Sequence, residues 1–160
     1  MTATLRERLV ARIAAEGPLD FAAYVEAALY DPAAGFYARG ARIGRGGAFA
    51  TAPTAHPAFA AAVAAEARAT YAALGSPPRL SVVEVGPGDG TLAAALGALL
   101  GDLPLELVLV ERAAGMRALQ AERLAAAGVR ARHVERPADV PPGDGLVVAN
   151  ELLDALPFHL

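Results

Sequence analysis

Leu5, Leu9 and Ile13 recur every four residues in a stretch otherwise filled by Arg, Glu and Ala, which predicts a short amphipathic helix ending at Gly17-Pro18. Asp20 stands where it can cap a second helix. The apolar stripe of that helix, Phe21, Tyr24, Val25 and Leu29, stops at Asp31-Pro32, because the residue before a proline avoids the helical region. The next segment, GFYARGARIGRGGAFATAP at 35–53, follows neither the helix nor the strand period. Its glycines, arginines and isolated aromatics predict a loop or loose hairpin folded over another part of the chain. A further helix is expected from about Pro57 to Leu74, closed by the break GSPPR at 75–79.

Beyond the break the pattern becomes regular. Four short apolar runs, LSVVEV (80–85), LELVLVE (105–111), VRARHVE (129–135) and GLVVANE (145–151), alternate with helical stretches at Thr91–Leu100 and Ala113–Ala127. Strand and helix in alternation predict a parallel α/β sheet. The first, second and fourth runs are almost continuously apolar, as suits strands covered on both faces.

Composition narrows the chemistry. The chain has 160 residues, 55% of them hydrophobic, and a formal net charge of -3, which allows a buried core and gives no general signal for nucleic acid. Three arginines spaced at Arg39, Arg42 and Arg45 could suggest nucleic acid, but no wider basic surface accompanies them. Cysteine is absent, so disulfides, thiolate metal sites and a thiol nucleophile are excluded. All 14 basic residues are arginine, which removes a P-loop lysine and a Schiff-base lysine. Neither Ser76 nor Ser81 lies in a G-x-S-x-G setting, and His56, His133 and His159 are far apart, so neither a nucleophile-elbow hydrolase nor a bound metal is expected. The amino terminus carries charges every few residues and no apolar core like that of an export signal, and Glu7 and Glu16 weigh against a transit peptide. No membrane span is read anywhere in the chain, and a cytoplasmic protein is the expectation.

The remaining signal is EVGPGDGT at 84–91. Gly86, Gly88 and Gly90 form G-x-G-x-G, whereas the dinucleotide fingerprint needs its third glycine at position 91, which is Thr91. Glu84 closes the first strand two residues before the turn. Glu111 closes the second, where a carboxylate can accept from both hydroxyls of a ribose. A pyrophosphate would be repelled by Glu84 and a cationic amino-acid moiety attracted. S-adenosylmethionine (SAM) joins such a moiety to adenosine, so the pattern points to a class I, Rossmann-like SAM-dependent methyltransferase.

EVGPGDGTL, NELLDALPFHL, FAAYVEAALYDPAAGFYA and GGAFATAPTAHPAF occur in the order found in the MidA-like SAM-dependent methyltransferases, relatives of the mitochondrial complex I assembly arginine methyltransferase, and the chain resembles that family over about residues 17–160. Phe49, Thr51 and Pro53 fit its G-D-F-x-T-S-P stretch, while Ala48 and Ala52 stand where aspartate and serine are usual. The resemblance implies strand order 3-2-1-4 and an incomplete sheet, since family members run to more than twice this length. Residues 1–75 would then be an N-terminal helical segment with a covering Gly/Arg-rich loop, and 79–160 the first half of the methyltransferase domain. It also implies SAM as cofactor, held by Glu84, Gly86, Gly88, Gly90 and Glu111. The acceptor would be a protein arginine, met by Asn150, Glu151 and Asp154. Asp154 as a helix cap is the competing reading of that residue. A SAM-binding or partner-binding assembly factor without turnover is the alternative function. The fourth strand, left at an edge, is expected to promote self-association, and the 160-residue chain alone is expected to be inactive.

Overall fold

A computed structural model describes residues 3–41, 43, 47, 48 and 51–160. Arg42, Arg45 and Phe49 lie outside the described residues. The first helix, α1 (Leu5–Glu16), begins in a capping box: the Glu7 amide donates to Thr4 Oγ1 at 3.2 Å and the Thr4 amide to Glu7 Oε2 at 2.8 Å. It buries no residue, and Arg8 joins it to the end of the next helix through a 2.8 Å ion pair with Asp31. That helix, α2 (Phe21–Tyr30), is capped by Asp20, which accepts from the Ala23 amide at 2.6 Å. A one-turn helix, α3 (Ala52–Ala55), is not foreshadowed by the apolar pattern. It runs into α4 (Pro57–Ala73), where Pro57 at the first helical position forms the junction and His56 Nδ1 accepts from the Ala58 amide at 3.0 Å.

Four parallel strands follow, β1 (Leu80–Val85), β2 (Leu105–Val110), β3 (Arg132–Val134) and β4 (Gly145–Val148), in the order β3-β2-β1-β4. The crossovers are α5 (Thr91–Leu99) and α6 (Ala114–Ala126), each within one residue of the expected bounds at both ends. On one face of the sheet Leu80, Val82, Leu107 and Leu109 pack with Leu92 and Leu96 of α5 and with Ala60, Ala64 and Ala67 of α4. The alanines every three or four residues let α4 approach closely, and burial of each large side chain contributes about 1.5–3 kcal/mol relative to exposure. This core draws on α4 and on the strands alike. Glu84 shares the parity of Leu80 and Val82, which carries it into the same buried layer at the end of β1.

Two of the four runs differ from expectation. β3 keeps only three residues, since Val129 and Ala131 pack into the main core. β4 takes the edge position expected of it, paired to β1 alone, but it ends at Val148 and is not covered on both faces, with Val147 68% exposed. Of the loop expected over 35–53, the last two residues belong to α3, and part of its described remainder folds over a neighbour. Phe36, Tyr37, Ala41 and Ile43 pack on Ala113 and Met116 at the start of α6. No helix among the described residues is long and apolar enough to cross a membrane.

Candidate functional site

A cavity of about 350 Å³ opens at the carboxyl ends of the strands, where the sheet order reverses between β1 and β4. Its floor is Glu84, Val85 and the turn Gly86 to Asp89. One wall comes from Val110, Glu111 and Arg112 after β2, with Glu135 and Pro137 beyond β3, and another from Asn150, Glu151 and Leu152 after β4. The roof is Tyr30, Tyr37, Ile43, Thr51, Pro53 and Thr54, all from the amino-terminal segment.

The turn is shaped by three glycines at positive φ: 69° at Gly86, 54° at Gly88 and 80° at Gly90. A Cβ on Gly88 would face Ile43 Cδ1 at 3.5 Å within the cavity, so glycine there keeps open space that a ligand needs. Gly90 does not line the cavity. It is the N-cap of α5, and a Cβ there would come 3.3 Å from Gln120 Cα, so its small size serves the packing of α6. Asp89 holds the turn from below. Its Oδ1 accepts from the Thr91 amide at 3.1 Å and from Thr91 Oγ1 at 2.7 Å, and Arg123 pairs with its Oδ2 at 2.9 Å.

Glu84 is 4% exposed, and its Oε2 has no hydrogen-bond partner. Burial, reinforced by the nearby charge of Asp89, pushes its carboxyl up to about 8. Glu84 lines the cavity, and an acid there with an unpartnered oxygen can take up a cationic hydrogen-bond donor. Glu111 is half-buried and better satisfied: Oε1 accepts from the Ala113 amide at 2.8 Å, and burial still raises its pKa despite that bond. Its second oxygen, Oε2, is approached by Gln120 Nε2 at 3.5 Å. The two acids, on neighbouring strand ends with the glycine turn between, fit the ammonium and ribose of an adenosyl amino acid. Gly88 lines the same cavity.

Beyond β4, Glu151 adopts φ 49°, a left-handed conformation uncommon for a residue with a side chain. Its Oε1 accepts from the Ala52 amide at 3.3 Å and from Asn150 Nδ2 at 3.4 Å, linking α3 to the end of β4. Asp154 lies apart. It sits inside a 3-10 turn, Leu153–Ala155, exposed and outside the cavity lining, and it is not the N-cap of that turn. Tyr30 closes this side: its hydroxyl donates to Ala155 O at 2.9 Å, and Arg112 stacks over its ring at 4.1 Å while pairing with Glu26. Burial pushes the Tyr30 hydroxyl up to about 12, so it remains a neutral donor at any ordinary pH.

The structure thus brings Glu84, Gly86, Gly88, Glu111, Asn150 and Glu151 around one cavity, and leaves Gly90 and Asp154 outside its lining. Sequence reasoning did not single out Tyr30, Tyr37 or Gln120. Gln120 did leave a signal, since it is the one polar residue in the series Met116, Gln120, Leu124 on the buried face of α6. Tyr30 and Tyr37 left none, because their use depends on a contact across more than 70 residues of chain.

Residues 62–160 match the model of an S-adenosyl-L-methionine-dependent methyltransferase family. The chain is 32% identical to the protein arginine methyltransferase NDUFAF7 homolog, mitochondrial, of Drosophila melanogaster, over 98% of this chain and 41% of that protein. It is 28% identical to the human protein arginine methyltransferase NDUFAF7, mitochondrial, over 94% of this chain and 40% of the relative. A Burkholderia thailandensis protein solved with S-adenosyl-homocysteine bound superposes with a TM-score of 0.80 at 36% identity, covering 96% of this chain and 42% of that one. The chain therefore spans about two fifths of the length of the proteins it matches. The cytoplasmic expectation is overturned: the curated relatives are mitochondrial proteins and point to that compartment. The residues weighed against a transit peptide have structural uses that carry no address, Glu7 in the capping box of α1 and Glu16 in an ion pair with Arg12.

Proposed function

We propose, from the fact that this chain belongs to the S-adenosyl-L-methionine-dependent methyltransferase family, that its cavity binds SAM and that the protein transfers the methyl group to a protein arginine. The observation that carries the cofactor reading is Glu84, a buried acid that lines the cavity and whose Oε2 has no hydrogen-bond partner, with Glu111 lining the same cavity. Glu84 would hold the ammonium of SAM, Glu111 would accept from the ribose hydroxyls, and the space left at Gly88 would admit the methionine end, while Gly86 makes room for the Leu152 side chain. Bound SAM supplies an electrophilic methyl on a sulfonium, displaced in line by a positioned nucleophile.

The acceptor side of this reading rests on Asn150 and Glu151. A guanidinium favours carboxylate pairing, and Glu151 combines an exposed carboxylate with a backbone conformation that the surrounding chain must hold in place. Asp154, outside the cavity lining, would act at longer range on an approaching cation. Tyr30 and Tyr37 would roof the site and exclude water. The open edge of β4 adds a further reading, association of the chain through that strand.

Calorimetry with SAM and S-adenosyl-homocysteine tests the cofactor reading, and binding of NAD in place of either would refute it. Transfer of a labelled methyl group to protein, assayed with the chain alone and with the remainder of a relative supplied, tests the reaction. In an active preparation Glu151→Gln should lower kcat far more than SAM affinity. Equal losses in the two would move Glu151 to the cofactor side, and no loss in either would leave it a structural residue.

A further inference from the structure

Gln120 is fully buried, on the α6 face that otherwise presents Met116 and Leu124 to the interior. A carboxamide without exposure needs partners inside the protein for its donors and its acceptor. Its Nε2 donates to the Gly88 carbonyl at 2.7 Å and approaches Glu111 Oε2 at 3.5 Å, while its Oε1 lies 3.1 Å from His133 Nε2. These partners come from the turn after β1, the end of β2, and β3.

The orientation of the amide follows from its neighbours. The Gly88 carbonyl can only accept, and so can an ionised Glu111, so the NH₂ group must face both. Oε1 is left to His133, whose Nε2 must then carry a hydrogen. Desolvation lowers the His133 pKa, with the Arg117 charge acting in the same direction, so the ring is neutral near pH 7 with its proton on Nε2. The Gln120 backbone packs against the turn at Gly90, which leaves the side chain little room to move.

We propose that Gln120 is a positioning residue of the cofactor site, tying the Gly88 peptide and the Glu111 carboxylate into one preformed surface for the nucleoside, with His133 as the partner of its carbonyl oxygen. The proposal rests on the SAM-site reading given above. Its consequence is cooperative. Glu111 recognises a ribose hydroxyl well only while Gln120 holds it, so the discrimination between ribose and deoxyribose should depend on a residue that touches neither.

Calorimetry on the full chain with S-adenosyl-homocysteine and its 2′-deoxy analogue tests this, using Gln120→Met, which keeps length and volume and removes the amide. The wild-type chain should lose about tenfold in affinity on loss of the hydroxyl, as for a hydrogen bond to a charged group. In Gln120→Met the affinity for S-adenosyl-homocysteine should fall about tenfold, and the hydroxyl should then matter by only about twofold. His133→Phe, at a half-buried position, should show the same non-additivity at smaller scale and guards against misfolding of the first variant. Long-range ¹H–¹⁵N spectra should find His133 protonated on Nε2 near pH 7. An unchanged hydroxyl penalty in both variants, or an Nδ1–H tautomer, overturns the role of Gln120. Failure of the wild-type chain to bind S-adenosyl-homocysteine overturns the function reading, and this proposal with it.

Discussion

Replacing Glu84 by Gln removes a titration that the fold itself has displaced. The carboxyl moves from its ordinary value of 4.5 to about 8, chiefly because burial disfavours its charged form. The folded chain therefore keeps a proton that the unfolded chain has already released. Stability from this group is fully present below the unfolded pKa, and it is lost as pH rises through the folded pKa. At about 1.4 kcal/mol per decade of proton affinity the full loss approaches about 5 kcal/mol, of which about 3 is gone by pH 7. Between about pH 5 and about pH 9 the expected loss from Glu84 alone is about 4 kcal/mol. Glutamine keeps the shape and does not titrate. Urea unfolding of the ligand-free chain and of Glu84→Gln, at about pH 5, 7 and 9, should show the variant gaining on the parent by about that amount across the series. The same variant should bind S-adenosyl-homocysteine at least about tenfold more weakly near pH 7, because an incoming ammonium can draw the proton off Glu84 and pair with the carboxylate, whereas an amide cannot ionise. Parallel stability curves would refute the displaced titration. A stabilised variant with full affinity would leave Glu84 a buried acid with no part in binding.

Glu111→Ala should weaken S-adenosyl-homocysteine binding by about 1.5–3 kcal/mol, read by calorimetry in a variant shown to be folded, and unchanged affinity would remove Glu111 from the site. Gly88→Ala places a methyl in the cavity at φ 54°, so it should reduce affinity sharply and cost about 1 kcal/mol of stability, measured by calorimetry and urea unfolding. Val147→Lys puts a charge on the open edge of β4; if that edge drives association, ultracentrifugation should show a shift toward monomer, and an identical profile for both chains would exclude this strand.

Much of the architecture was legible locally. The period-four stripe of α1, the Asp20 cap and the Pro32 stop of α2, and the apolar runs of β1 and β2 are set by interactions within a turn or a strand, so residue order alone determines them. The acids at the ends of β1 and β2 and the glycine turn between them were equally readable, since strand ends and turns are marked by residue type. Tertiary packing decided the rest. Gly90 reads as one more member of a glycine series until the backbone of α6 is seen beside it, and the sequence puts Gln120 on the apolar stripe of α6 without showing that its amide connects three elements. Tyr30 and Tyr37 reach the cavity only because the amino-terminal segment folds back over the strand ends. The same holds for charge: a glutamate at position 84 is given by the sequence, but its raised pKa comes from the core that surrounds it. Local periodicity and turn chemistry depend on neighbours in the chain, whereas burial, proton affinity and the sharing of hydrogen bonds depend on neighbours in space.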